Sequence, residues 1–117
     1  MKVAIVGGRS FRFYFLLQDV MDSIHKQTPV TKVVCGEAAG ADKLGKKWAI
    51  YRDIDVLSIR PNWDKFGQRA GLIRNCEMLE ECDKVVAFWN LFSPGTAHMI
   101  DIARRQNKLL HVEEYNE

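Results

Sequence analysis

Short apolar runs alternate along the chain with longer stretches whose apolar residues recur at helical spacing, and the order reads β-α-β-α-β-α-β-α-β. The pattern predicts strands at Lys2–Val6, Lys32–Cys35, Val56–Ile59, Lys84–Trp89 and Leu109–Val112. Between them it predicts four helices. The first spans Phe11–Lys26, with Phe13, Leu16, Leu17, Val20, Met21 and Ile24 on one face. The second spans Asp42–Arg52, with Leu44, Trp48 and Tyr51 aligned, and the third Ala70–Glu81, with Leu72, Ile73, Cys76 and Leu79 inward. The fourth starts at Gly95 or Thr96 and ends near Gln106. Pro29 and Pro61 stand where a helix and a strand should stop. The polar end, Glu113 to Glu117, is expected to be loose.

Strands two to four lack clean polar alternation, as parallel strands covered on both faces do. Right-handed crossovers then give an α/β, three-layer Rossmann-like sandwich with a five-stranded parallel sheet flanked by helices, in a single domain over residues 1–117. The segment Arg60 to Arg69 fits neither period and reads as a long irregular loop, a length often tied to function. Its Trp63 and Phe66 either stack on a base or cover the core edge.

Three glycine-bearing turns follow apolar strands and precede helices: Gly7-Gly8-Arg9-Ser10, Gly36-Glu37-Ala38-Ala39-Gly40-Ala41-Asp42 and Ser93-Pro94-Gly95-Thr96. A parallel sheet brings all such turns to one edge, at the carboxyl ends of its strands, where ligands bind. Helix N-termini and close-approaching backbone favour an anion there.

Composition adds limits. The 117 residues are 47% apolar and 27% charged, an ordinary globular balance, and the net charge of +2 gives no basic stripe for nucleic acid. Lys46-Lys47 and Arg104-Arg105 read as solvated helix faces. The cysteines Cys35, Cys76 and Cys82 are odd in number and form no C-x-x-C pair, so a reduced, cytoplasmic setting without a metal site is expected. The first strand is too soon punctuated for a signal peptide, and no apolar run approaches a membrane span of about 18 residues. No Walker sequence or nucleophile elbow is present.

The ordered set Gly7-Gly8-Arg9-x-Phe11, Val34-Cys35-Gly36-x-Ala38-x-Gly40-Ala41-Asp42-x-Leu44 with Trp48-Ala49, Trp63-x-x-Phe66-Gly67-x-x-Ala70-Gly71-x-x-Arg74-Asn75-x-x-Met78, Asp83-x-Val85-Val86-Ala87-Phe88-Trp89 and Ser93-Pro94-Gly95-Thr96 resembles the YspA core domain family. That family belongs to the SLOG superfamily of Rossmann-like domains, whose members include LOG-type phosphoribohydrolases and the DNA-processing protein DprA. The resemblance covers nearly the whole chain and implies a nucleotide-like ligand. Two departures stand out. Ser10 occupies the place where the family usually has an acid, and Met99 the place of the LOG-type glutamate. A carboxylate there would stabilise an oxocarbenium-like transition state or activate water; methionine does neither. The catalytic candidates that remain are Glu37 and Asp101.

The candidate ligand-binding residues are therefore Gly7, Gly8, Arg9, Ser10, Gly36, Glu37, Ala38, Gly40, Asp42, Arg74, Asn75, Trp89, Ser93, Pro94, Gly95 and Thr96. Arg9 is placed to fork onto a phosphate, and Ser93 and Thr96 either cradle that phosphate or cap a helix. Asp42 either bonds a ribose hydroxyl or serves as an N-cap. The resemblance suggests that Arg74 reaches the ligand. Trp89 and Phe92 either sandwich a base or close the core. His98 is the histidine nearest the third turn. The expected function is binding of a nucleotide or ADP-ribose-like ligand by a sensor or sequestering protein with no required cofactor. The alternative is a nucleotide N-glycosidase, and single-stranded nucleic-acid binding is third. Self-association is expected from Trp48, Tyr51, Trp63 and Phe66.

Overall fold

A computed structural model describes residues 1–116. Five strands, β1 (Lys2–Gly7), β2 (Lys32–Cys35), β3 (Asp55–Ser58), β4 (Lys84–Trp89) and β5 (Leu109–Glu114), form one sheet in the order β3-β2-β1-β4-β5. Every pairing is parallel. The helices are α1 (Tyr14–Gln27), α2 (Ala41–Ile50), α3 (Trp63–Phe66), α4 (Ala70–Glu81) and α5 (Pro94–Arg105). The order runs outward from β1 to β3 and then restarts beside β1 at β4, so α1 and α2 cover one face and α4 and α5 the other.

Strand alternation sorts the core. Val3 and Ile5 of β1 join Val33, Val86 and Phe88 beneath α1 and α2, where Leu17, Met21 and Trp48 pack. Ala4 and Val6 join Val34, Val85 and Ala87 beneath α4 and α5, where Met78, Leu79, Met99 and Ala103 pack. Each central strand is thus apolar on both sides, the reason it shows no polar alternation.

Several boundaries and faces differ from the sequence expectation. α1 starts at Tyr14 rather than Phe11, because Phe11 turns into the core and packs against Phe88 and Tyr115 at ring-centroid distances of 5.0 and 4.8 Å. The end of the chain is not loose over 113–115: β5 continues to Glu114 and Tyr115 is buried, while Glu117 lies outside the described residues. The segment after β3 is not wholly irregular. Asn62 accepts the Lys65 N–H at 3.0 Å and caps α3, and a 3-10 turn over Gly67–Arg69 leads into α4. On α2, Trp48 is fully buried, with its indole N–H on Asp22 at 2.9 Å, but Tyr51 faces out. On α4 the buried residues are Ala70, Asn75, Met78 and Leu79, whereas Leu72 and Cys76 are exposed. No helix among the described residues is long and apolar enough to cross a membrane.

Candidate functional site

The reversal of strand order between β1 and β4 opens a crevice at the carboxyl ends of the strands. A cleft of about 940 Å³ fills it, walled by the β1–α1 turn, the β2–α2 turn, the β3–α3 segment, the first turns of α4 and the β4–α5 turn. Of the sequence-predicted ligand residues, Gly7, Gly8, Arg9, Ser10, Glu37, Ala38, Asp42, Arg74, Asn75, Ser93, Pro94, Gly95 and Thr96 line this cleft. Glycine and proline are the residues that mark these three turns in the sequence.

Gly36, Gly40 and Trp89 do not line it, and each has a structural task instead. A side chain on Gly36 would run into the Arg74 guanidinium and the Asp42 carboxylate, which close over it. Gly40 has φ 77° and presses on the backbone carbonyls of Gly8 and Arg9. Ala41 N–H donates to Gly8 O at 3.3 Å, so the first two turns are joined. Trp89 packs into the α4/α5 side of the core and donates its indole N–H to Ser93 O at 3.2 Å. Asp101 also lies off the cleft, on α5, paired with Arg105 at 3.2 Å.

Asp42 is not an N-cap. Gly40 holds the cap position, and Asp42 sits in the first turn of α2, buried. Its carboxylate folds back and accepts the Ala38 N–H at 3.1 Å. Burial pushes its pKa above the ordinary carboxylate value of 3.8, against the opposing pull of Arg74, the Ala38 and Gly36 amides and Arg9. Arg74 has a buried Nε with no hydrogen-bond partner. Arg9 is exposed, lines the cleft, and its charge acts on the Asp42 carboxylate. Two cations thus face the cleft, and one of them, Arg74, has a buried Nε without an acceptor.

At the β4–α5 turn, Ser93 caps α5: its Oγ accepts the Thr96 N–H at 3.4 Å and shares a hydrogen bond with the Thr96 hydroxyl at 3.0 Å. Asn90 supports the turn by accepting the Phe92 and Ser93 N–H groups, both at 2.9 Å. The capping role assigned to Ser93 and Thr96 is therefore met, and the Gly95 N–H lies too early in α5 to have an intrahelical acceptor. Asn75, buried on α4, donates to Gly95 O at 3.1 Å and lies 3.1 Å from His98 Nδ1, which ties α4 to the start of α5.

Glu37 is exposed at the rim and pairs with Arg60 through both Nε and an Nη, each at 2.7 Å. Val6, Ala39, Arg60, Pro61, Trp63, Gly71, Met78 and Asn90 complete the lining and were not among the predicted site residues. The length of the segment after β3 was the signal for Arg60, Pro61 and Trp63, and Ala39 lies in the second glycine-bearing turn. Among the described residues, no group of three or more His, Cys, Asp or Glu side chains is placed to hold a metal ion.

The sequence profile of the YspA, cpYpsA-related SLOG family matches residues 1–66. The chain belongs to this family. It is similar to the Gene 61 protein of Mycobacterium phage D29, 30% identical over 111 residues that cover 89% of this chain and 89% of that protein. No solved structure matches.

Proposed function

We propose that this SLOG-family chain binds a nucleotide or nucleotide-derived, ADP-ribose-like ligand in the cleft, acting as a sensor or sequestering protein without a required cofactor. The observation that carries the reading is convergence. Three glycine-bearing turns, Arg9, Arg74 and the start of α5 face one cleft at the strand-order reversal. Its volume, about 940 Å³, lies in the range of small-molecule sites. Arginines and a helix start supply the anion-facing end; the wall of glycine and alanine backbone lets a ribose approach closely.

The test is native mass spectrometry of the purified protein, followed by denaturation and identification of what is released. A thermal-shift series with AMP, ADP-ribose and inorganic phosphate accompanies it. A ligand at a hundredfold excess over its Kd stabilises the folded state by about 2.7 kcal/mol. An empty protein whose melting is unmoved by any nucleotide or ADP-ribose at millimolar concentration overturns the reading.

Glu37 at the cleft rim supports a second reading, hydrolysis of a nucleotide N-glycosidic bond. Free base released by the native chain and absent with Glu37→Gln supports it; no base from a nucleotide panel refutes it. Asp101, across α5 from the cleft, has no part in that reading. Nucleic acid is disfavoured by the net charge of +2. A cytoplasmic location belongs to the same proposal. Self-association draws support from exposed Phe15, Tyr51, Trp63 and Phe92, not from Trp48, which is wholly internal; light scattering at high concentration tests it.

A further inference from the structure

The cleft walls differ in character from one end to the other. Beside β1 and β4 lie Arg9 and the Gly95 N–H, and Arg74 reaches over Gly36 at the end of β2. Trp63 and Pro61, from the segment after β3, line the same cleft. Of the chain's three tryptophans, Trp48 and Trp89 spend their indole N–H groups inside the fold, on Asp22 and Ser93. Trp63 makes no such bond among the described residues and is 52% exposed, although it stands at the mouth of a cleft. Its position is nevertheless fixed. Asn62 caps the single turn of α3, and the Gly67 N–H closes that turn on Trp63 O. The ring leans over the first turn of α4 at Gly71, where even an added Cβ would stop 3.9 Å from Trp63 Cη2. The chain therefore holds a large flat apolar ring in place over a glycine, in a cleft, with no side chain of its own filling the space.

We infer that the cleft is bipartite and takes a purine 5′-nucleotide moiety, whose base stacks on Trp63 and whose phosphate meets Arg9 and the start of α5. This rests on the binding reading above and adds the ligand class and the residue that selects it. The turns that carry Arg9 and Gly95 follow the neighbouring strands β1 and β4, and Trp63 follows the edge strand β3, so phosphate and base are met by different walls of the cleft. The ribose then lies over the β2–α2 turn, beside Ala38 and Asp42. A sugar phosphate alone fills only the charged end. Stacking is tolerant of base identity but grows with ring area, which favours a purine.

The experiment compares AMP with ribose 5-phosphate by calorimetry on the native chain, Trp63→Ala and Trp63→Phe. The native chain is expected to bind AMP about 5- to 150-fold more tightly, the range that base–aromatic stacking supplies. Trp63→Ala should erase that ratio while leaving the affinity for ribose 5-phosphate unchanged, and Trp63→Phe should retain most of it. The exposed position makes both variants compatible with folding, and an unchanged melting temperature verifies that. Equal affinity of the native chain for the two probes overturns the aromatic subsite alone and leaves the phosphate site standing. A Trp63→Ala variant that keeps the native ratio, or that weakens both probes alike, does the same. Binding of neither probe by the native chain overturns this inference together with the reading beneath it.

Discussion

Two glycines of the turns around the cleft, Gly40 and Gly95, separate what folds the site from what leaves it open. Gly40 adopts φ 77° and ψ −127°, a backbone region that L side chains avoid. In Gly40→Ala the new Cβ also collides with the carbonyl oxygens of Gly8 and Arg9, which are backbone and cannot swing aside as a side-chain tip can. Strain of that kind costs about 1–3 kcal/mol. Displacing the joined turns adds about 1–3 kcal/mol more, as overpacking does. A loss of roughly 2–6 kcal/mol takes a large share of the usual stability, about 5–15 kcal/mol. For a domain of this size it lowers the melting temperature by about 10–20 °C.

Gly95→Ala is the paired control. Nothing lies within 4 Å of a Cβ at Gly95, and the residue is in the first turn of α5. Alanine there should leave stability unchanged or raise it by up to about 1 kcal/mol. The added methyl projects into the cleft, so a bound anion at the α5 start is weakened by about tenfold or more, some 1.4 kcal/mol. Differential scanning calorimetry of both variants, followed by AMP titration of Gly95→Ala, tests the pair. A Gly40→Ala protein melting within about 2 °C of the native chain, less than 1 kcal/mol of loss, refutes the close-approach argument.

Three further outcomes follow from single contacts. Asn75→Ala removes the donor to Gly95 O in a buried setting and should destabilise by about 1–3 kcal/mol; urea denaturation showing no loss means that the α4–α5 tie is ornamental. Asp42 has a folded pKa raised above 3.8 by burial, so the native state holds this proton more tightly than the unfolded chain. The native chain should therefore gain stability relative to Asp42→Asn as pH falls from neutral through the raised value towards 3.8, and a pH-independent difference between the two contradicts this. Cys35 and Cys82 are buried, with thiol pKa values pushed up by desolvation, whereas Cys76 is exposed. A thiol reagent should then label one cysteine in the folded protein and all three in denaturant, and labelling of two or three under native conditions counts against the packing.

The sheet and its edge were legible because their signals are local. The apolar runs and helical spacing predict β2 at Lys32–Cys35, β4 at Lys84–Trp89 and α4 at Ala70–Glu81, and the structure keeps those limits. What escaped is set by partners distant in sequence. Phe11 has helix-compatible neighbours, yet Phe88 and Tyr115 draw it into the core, and the residue that completes that cluster lies in the stretch expected to be loose. Periodicity put Leu72 and Cys76 inside α4, but α5 presents Gly95 O and His98 to the helix, and a buried Asn75 answers them. Trp89, at the end of β4, left stacking and core closure open; a carbonyl four residues on, at Ser93, holds it against the α4/α5 side of the core. Trp63 was visible as an aromatic, but only the one-turn α3 and the bare Gly71 opposite give its ring a fixed stance in the cleft.

Charge limits what the cleft holds. Its lining carries Arg9, Arg60 and Arg74 against Glu37 and Asp42, three cations less two acids, a formal excess of +1. Glu37 offsets Arg60 directly, and Asp42 offsets part of Arg74 through the field between them. The start of α5 adds roughly half a positive charge. AMP, with a phosphate charge of about −1.5 to −2 at pH 7, nearly matches that sum, and ADP-ribose with two phosphodiester-like charges does too. ATP brings roughly two more negative charges, and the lining offers no lysine to meet them. AMP and ADP-ribose should therefore bind more tightly than ATP at equal ionic strength, and the gap should narrow as salt rises, because screening shortens the reach of the unmatched phosphates. Calorimetric titration at low and high salt decides it: ATP binding more tightly than AMP at both means that the cleft draws on cations beyond Arg9, Arg60 and Arg74, and that its charged end has been placed on the wrong residues.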